Sequence, residues 1–147
     1  MADTRMQVEV EDWVRREWLP VHFGQKFYRE RLRLSSGGIF DFDAVSEDRK
    51  TVAAISTSGA KTARGKNAAG KLFKIRSDMF FLLLVPDADR RIVVLTETDM
   101  FALCKKESEG GRVPSSIEFV HAAIPEDVAA KLRYARDEAS SEVSPKS

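Results

Sequence analysis

The chain has 147 residues, 43% hydrophobic and 32% charged, which is enough apolar material for a buried core and too much for a disordered tail. Its 24 lysines and arginines nearly cancel 23 aspartates and glutamates, so net charge points to no partner and only local clustering can. A lone cysteine, Cys104, rules out an internal disulfide. With nothing resembling a secretory leader, and no apolar run longer than Met79 to Val85, the expectation is a cytoplasmic protein that does not enter a membrane.

One domain is expected over residues 1–147, with 1–7 and 140–147 as frayed tails. A helix is predicted over about 9–19, where Trp13, Val14, Glu17 and Trp18 share one face and Pro20 discourages continuation. The period then becomes two. Tyr28, Glu30, Leu32 and Leu34 alternate with Arg29, Arg31 and Arg33, giving a strand with one mostly apolar face and one basic face. After the turn Ser35-Ser36-Gly37-Gly38, residues 39–45 form a second strand, with Phe40 and Phe42 on the core face and Asp41 and Asp43 opposite. A polar turn at 46–50 leads to a third strand over 51–57, completing an antiparallel meander.

Residues 59–71 read as a small, basic loop entering a helix that reaches about Ser77. The run Met79 to Val85 is apolar on both faces, as a central strand would be, and pairs as a hairpin with a strand over 91–96. A short helix over 98–106, a strand over 116–122 and a helix over 125–139 complete the chain. The expected class is α/β or α+β, with a mixed sheet and C-terminal helices.

Three constellations carry possible chemistry. Asp41 and Asp43 put two carboxylates on one strand face, where they suit a hard cation such as Mg²⁺ or, alternatively, a solvent edge balanced by Arg29, Arg31 and Arg33. Ser56 and Ser58 place hydroxyls at alternating positions near the end of the third strand. The basic segment Lys61, Arg64, Lys66, Lys71, Lys74 and Arg76 contains no acid and is the strongest local asymmetry in the chain. Its glycines allow close backbone approach to an anion, yet it lacks the Walker A pattern, so a phosphate-rich polymer fits better than a bound nucleotide. His22 and His121 have no companion cysteines for zinc, and Cys104 reads as core.

Helix, three-stranded meander, helix, strand is the core order of the restriction-endonuclease-like fold, and Phe40-Asp41-Phe42-Asp43 resembles the acidic strand of that superfamily's nucleases. The resemblance implies Asp43 as the first acid of the superfamily's metal site. Ser56 stands where the second acid would be, without an acid or lysine in Ser56-Thr57-Ser58. Lys61 then becomes the relocated lysine, and Glu17 on the first helix, or Asp41, the further Mg²⁺ ligand.

Two readings follow as expectations. In the first, the chain binds nucleic acid, DNA ahead of RNA, through Arg29, Arg31, Arg33 and the basic segment. It retains at most weak Mg²⁺-dependent phosphodiester cleavage through Asp43, Ser56 and Lys61. In the alternative, it is a catalytically silent interaction protein forming a homodimer.

Overall fold

The computed structural model describes residues 4–61 and 69–131. The chain opens with one helical run made of α1 (Thr4–Trp13), a π-helical turn (Val14–Trp18) and α2 (Leu19–Phe23). Among its described side chains, the buried apolar residues are Val10, Val14 and Leu19, a spacing of four and then five. At about 100° per residue, a regular α-helix would turn Leu19 about 140° away from Val14. The π turn removes this mismatch. The Leu19 N–H bonds to the Val14 carbonyl, five residues back, and both side chains are buried. The same widening accommodates Pro20, which has no N–H and whose ring would crowd the carbonyl four residues earlier in a regular helix. The run therefore passes through Pro20, where the sequence predicts its end. It stops at Gly24, whose φ of 73° is left-handed and whose N–H bonds to the Pro20 carbonyl at 2.8 Å.

Five strands form one mixed sheet in spatial order β1-β2-β3-β4-β5: β1 (Phe27–Arg33), β2 (Ile39–Ser46), β3 (Thr51–Ser56), β4 (Arg90–Leu95) and β5 (Ile117–His121). The first three make the expected antiparallel meander. β4 and β5 run parallel to β3, each reached by a crossover carrying a helix, α3 (Ala69–Leu83) and α4 (Thr98–Glu109) respectively. Alternation divides the core between the two sheet faces. Val52, Ala54, Val93 and Leu95 pack under Ile75, Met79 and Leu82 of α3 and Met100 and Cys104 of α4. Ala53, Ile55, Ile92 and Val94 pack against Val10, Val14 and Leu19. Helices thus cover both faces of the sheet. A further helical stretch starts at residue 126, as expected, and the remainder of that predicted helix beyond 131 lies outside the described residues.

The predicted strand over 79–85, and the hairpin it was to form, are corrected: most of this run is the C-terminal half of α3. Ile75, Met79 and Leu82, spaced by four and three, form the buried stripe. Phe81 stacks on Phe40 of β2 with ring centroids 4.1 Å apart, while Phe80 and Leu83 face solvent. The run looks two-faced because a helix with an exposed apolar side also places apolar residues at every consecutive position.

Arg91, from β4, closes the end of α3 by donating to the Leu82 carbonyl at 2.9 Å and to the Val85 carbonyl. Arg91→Ala should cost about 1–3 kcal/mol, because two carbonyls lose a charged donor. Arg91→Lys should recover only part of this, since an ammonium lacks the planar fork. Urea midpoints of the three proteins measure it, and a neutral Arg91→Ala would show that the contact contributes nothing.

Candidate functional site

The site is built where β2 and β3 part. These strands pair directly at Ala44↔Ala53 and Val45↔Val52. On the other side of β2, Glu30 faces Phe42 but Tyr28 faces Val45, so Arg29 alone stands opposite two residues, Asp43 and Ala44. This is a β-bulge, which interrupts the alternation of β2 and re-aims a side chain. Phe42 is buried on the α3 face with Phe40 half-buried beside it, and Asp41 is exposed, as the period-two reading expects. At the bulge, Ala44 falls on the α1 face and Val45 on the α3 face. The half-buried Asp43 sends its carboxylate across the gap, where Oδ2 accepts the Ile55 N–H at 2.8 Å. Arg15, from the π turn and only 9% exposed, donates through Nε to the Asp43 carbonyl at 2.6 Å and pairs with Asp12 at 2.6 Å.

Charge converges on Asp43 from both helical layers. Burial, and then the negative charge of Asp43, hold the Glu11 carboxyl of α1 above the ordinary range, against the pull of Arg15, Arg29 and Lys74. On α3, Lys74 bonds to the buried Asp78 at 2.9 Å. Burial works against the Lys74 ammonium. The Asp78 bond and the charges of Asp78, Asp43 and Glu11 outweigh it, so its pKa is raised. Burial also raises Asp78, and Asp43 adds to the effect despite the Lys74 partner. Asp43 thus raises one carboxyl in each helical layer, Glu11 and Asp78, and the charge of Lys74 lowers both.

The structure sorts the sequence-derived residues. Asp43 occupies the centre. Asp41 is tied to Arg29 at 3.1 Å, the balancing role foreseen for the arginines of β1, while Arg31 and Arg33 stand exposed on the same strand. Glu17 is exposed on the π turn, and on α1 Glu11 is the carboxyl that the charge of Asp43 raises. Ser56, half-buried at the end of β3, accepts the Ser58 N–H through Oγ at 3.4 Å. Lys61 is exposed beyond β3, and Arg64 and Lys66 lie outside the described residues. Of the remaining basic segment, Lys71 is exposed, Lys74 serves Asp78, and Arg76 pairs with Glu107 at 2.7 Å. Cys104 is core, its thiol pushed up to about 11 by burial first and by Glu107 second.

Sequence reading missed Glu11, Arg15, Asp78 and the central place of Lys74. The available signal was the spacing of Val10, Val14 and Leu19, which places Glu11 and Arg15 each one residue beyond a buried valine.

Among the described residues, no three His, Cys, Asp or Glu side chains form a group that could hold a metal ion. Asp43 and Glu11 therefore fall short of a closed all-protein cage. Among the same residues, no helix is long and apolar enough to cross a membrane. Comparison with models of known protein families, with curated proteins and with solved structures gives no match.

Proposed function

We propose that the chain is a nucleic-acid-binding domain of restriction-endonuclease-like fold whose site supports weak, metal-dependent phosphodiester cleavage. The observation that carries this reading is the position of Asp43. It lies on the second meander strand, where that strand leaves its neighbour, coupled to a carboxylate from the first helix and a lysine from the crossover helix. The element order supports it as well: a helical run, a three-stranded meander, a helix, then a strand parallel to the third.

In this reading Asp43 and Glu11 would hold Mg²⁺, which when bound supplies a lowered water pKa and charge neutralisation at phosphate. Lys74, kept cationic by its acidic neighbours, is the protein's own positive charge for the reacting phosphate and takes the role assigned from sequence to Lys61. Ser56 contributes a neutral oxygen at most. Arg31, Arg33, Lys61 and Lys71, all exposed, are available to phosphate oxygens along the strand.

Binding to labelled DNA and RNA duplexes over a salt series tests the first half of the proposal. Replacing Lys61, Arg64 and Lys66 together by Ala should weaken binding and flatten the salt slope by about one unit per lost phosphate contact. Unchanged low-salt affinity in the triple variant would assign these residues to an ordinary solvated surface.

The homodimer reading is favoured by a different observation. Phe73, Phe80 and Leu83 form an exposed apolar stripe along α3, and Phe73 and Phe80 are 61% and 57% exposed. A concentration-dependent dimer in sedimentation, with no affinity for any polyanion, would select it over nucleic-acid binding.

A further inference from the structure

A second feature lies beside Asp43, on the side of the π turn. A broad, open cleft of about 480 Å³ lies between that turn and β1. Four of its lining residues are cations, Arg15, Arg16, Lys26 and Arg29, and none is an acid. Phe27 and Tyr28 contribute to the wall. Two of the cations are already committed: Arg15 to Asp12 and the Asp43 carbonyl, and Arg29 to Asp41. Arg16 and Lys26, both exposed, form no ion pair with any described residue. Glu17 is next to Arg16 in the chain, yet it is not part of the lining.

Like charges gathered in a concave site repel, and an oxyanion relieves that repulsion; guanidinium forks match phosphate oxygens in particular. The π turn contributes to this arrangement, because two consecutive arginines from it line one cleft. Through the bond from Arg15 to the Asp43 carbonyl, the cleft wall is one hydrogen bond away from the residue at the centre of the candidate site.

We propose that this cleft is a phosphate-binding subsite, in which Arg16 and Lys26 grip a backbone or terminal phosphate of the nucleic-acid strand while Arg15 ties that grip to the Asp43 site. The inference rests on the nucleic-acid reading above and extends it by naming where the strand is anchored.

The test compares Arg16→Ala/Lys26→Ala with Lys105→Ala/Lys106→Ala, which removes the same charge from exposed positions of α4. Anisotropy of labelled duplexes and single strands, with and without a 5′-phosphate, gives affinity and salt slope. Titration with inorganic phosphate, followed by NMR at the amides of residues 15–16 and 26–29, reports the cleft directly. The cleft variant should bind at least about tenfold more weakly, with its salt slope reduced by about one to two units, and the α4 variant should change less than about threefold. Phosphate should shift the cleft amides saturably in the wild type and not in the cleft variant. Loss confined to 5′-phosphorylated strands identifies a terminal phosphate, and equal loss on all strands identifies a backbone phosphate. Equal losses in the two double variants, or cleft amides that ignore phosphate, overturn the subsite and leave the proposed function standing. A wild type that binds no DNA or RNA, with its cleft amides still saturating with phosphate, overturns the proposed function and leaves an oxyanion site.

Discussion

Asp43→Asn is expected to abolish metal-dependent cleavage while leaving the protein folded. The amide keeps an oxygen that can accept the Ile55 N–H, so the link across the gap between β2 and β3 survives. What disappears is the charge that holds the cation. An ion is worth several kcal/mol of charge stabilisation at a phosphate, so the loss should be on the order of 10² in rate or more. Asp43→Ala removes both the charge and the acceptor. It should lose the same activity and, in addition, about 1–3 kcal/mol of stability, because the Ile55 N–H is left without its partner. The same pair of variants has a readout independent of cleavage. Glu11 and Asp78 titrate above their ordinary range, burial being the first cause in each and Asp43 a further one. Acids raised in this way bind protons more tightly in the folded chain than in the unfolded one. Their contribution to stability is complete below the unfolded value and is lost as pH rises through the raised folded value. Asp43→Asn should lower both pKa values and flatten that loss, which NMR titration of the Glu11 and Asp78 carboxyl carbons measures. Cleavage that survives both Asp43→Asn and chelation of divalent ions would sink the proposed mechanism. Unmoved carboxyl titrations would show that the three acids do not form one site.

The meander was legible because its strands differ in period from everything around them. Arg29, Arg31 and Arg33 alternate against Leu32 and Leu34, and Phe40 and Phe42 against Asp41, without competing helical spacing. The run over 79–85 was not legible. Its helical identity lies in the stripe Ile75, Met79 and Leu82, which is hidden by Phe80 and Leu83 on the solvent side. The first helix misled for the opposite reason. Trp13, Val14, Glu17 and Trp18 fit a regular face, whereas the buried set uses Leu19 and needs an inserted residue to reach it. That insertion has a further consequence for the site: Glu17 lies on an exposed part of the π turn, and Glu11, one full α1 turn earlier than Arg15, meets the charge of Asp43. Asp43 itself was found from its strand, but its setting depends on a bulge. A bulge is a two-strand property, visible only once Arg29 is seen facing both Asp43 and Ala44.

The largest loss of stability is expected at Phe42→Ala. Phe42 is 1% exposed and meets Phe40 edge-on with centroids 4.8 Å apart, and Phe40 in turn stacks on Phe81 of α3. Truncation removes the ring and leaves a cavity under α3 that close-packed neighbours fill only in part, at a cost of about 3–5 kcal/mol. Against a typical total of about 5–15 kcal/mol, that is a large share of the folding free energy. Phe42→Leu keeps much of the volume and should cost less than half as much. Phe40→Ala, at a half-buried position, should fall between the two and is informative in another way. It removes the ring on which Phe81 rests while sparing the fully buried site, so its main effect should be on the seating of α3. α3 carries Lys74 and Asp78, whose bond spans one helical turn and whose pKa values the charge of Asp43 raises. Phe40→Ala should therefore shift the Lys74 and Asp78 titrations together, alongside its intermediate fall in the urea midpoint. A Phe42→Ala variant as stable as the wild type would contradict the packing of β2 against α3. A Phe40→Ala variant with unmoved titrations would show that the aromatic contact holds the helix without setting the charge of the site.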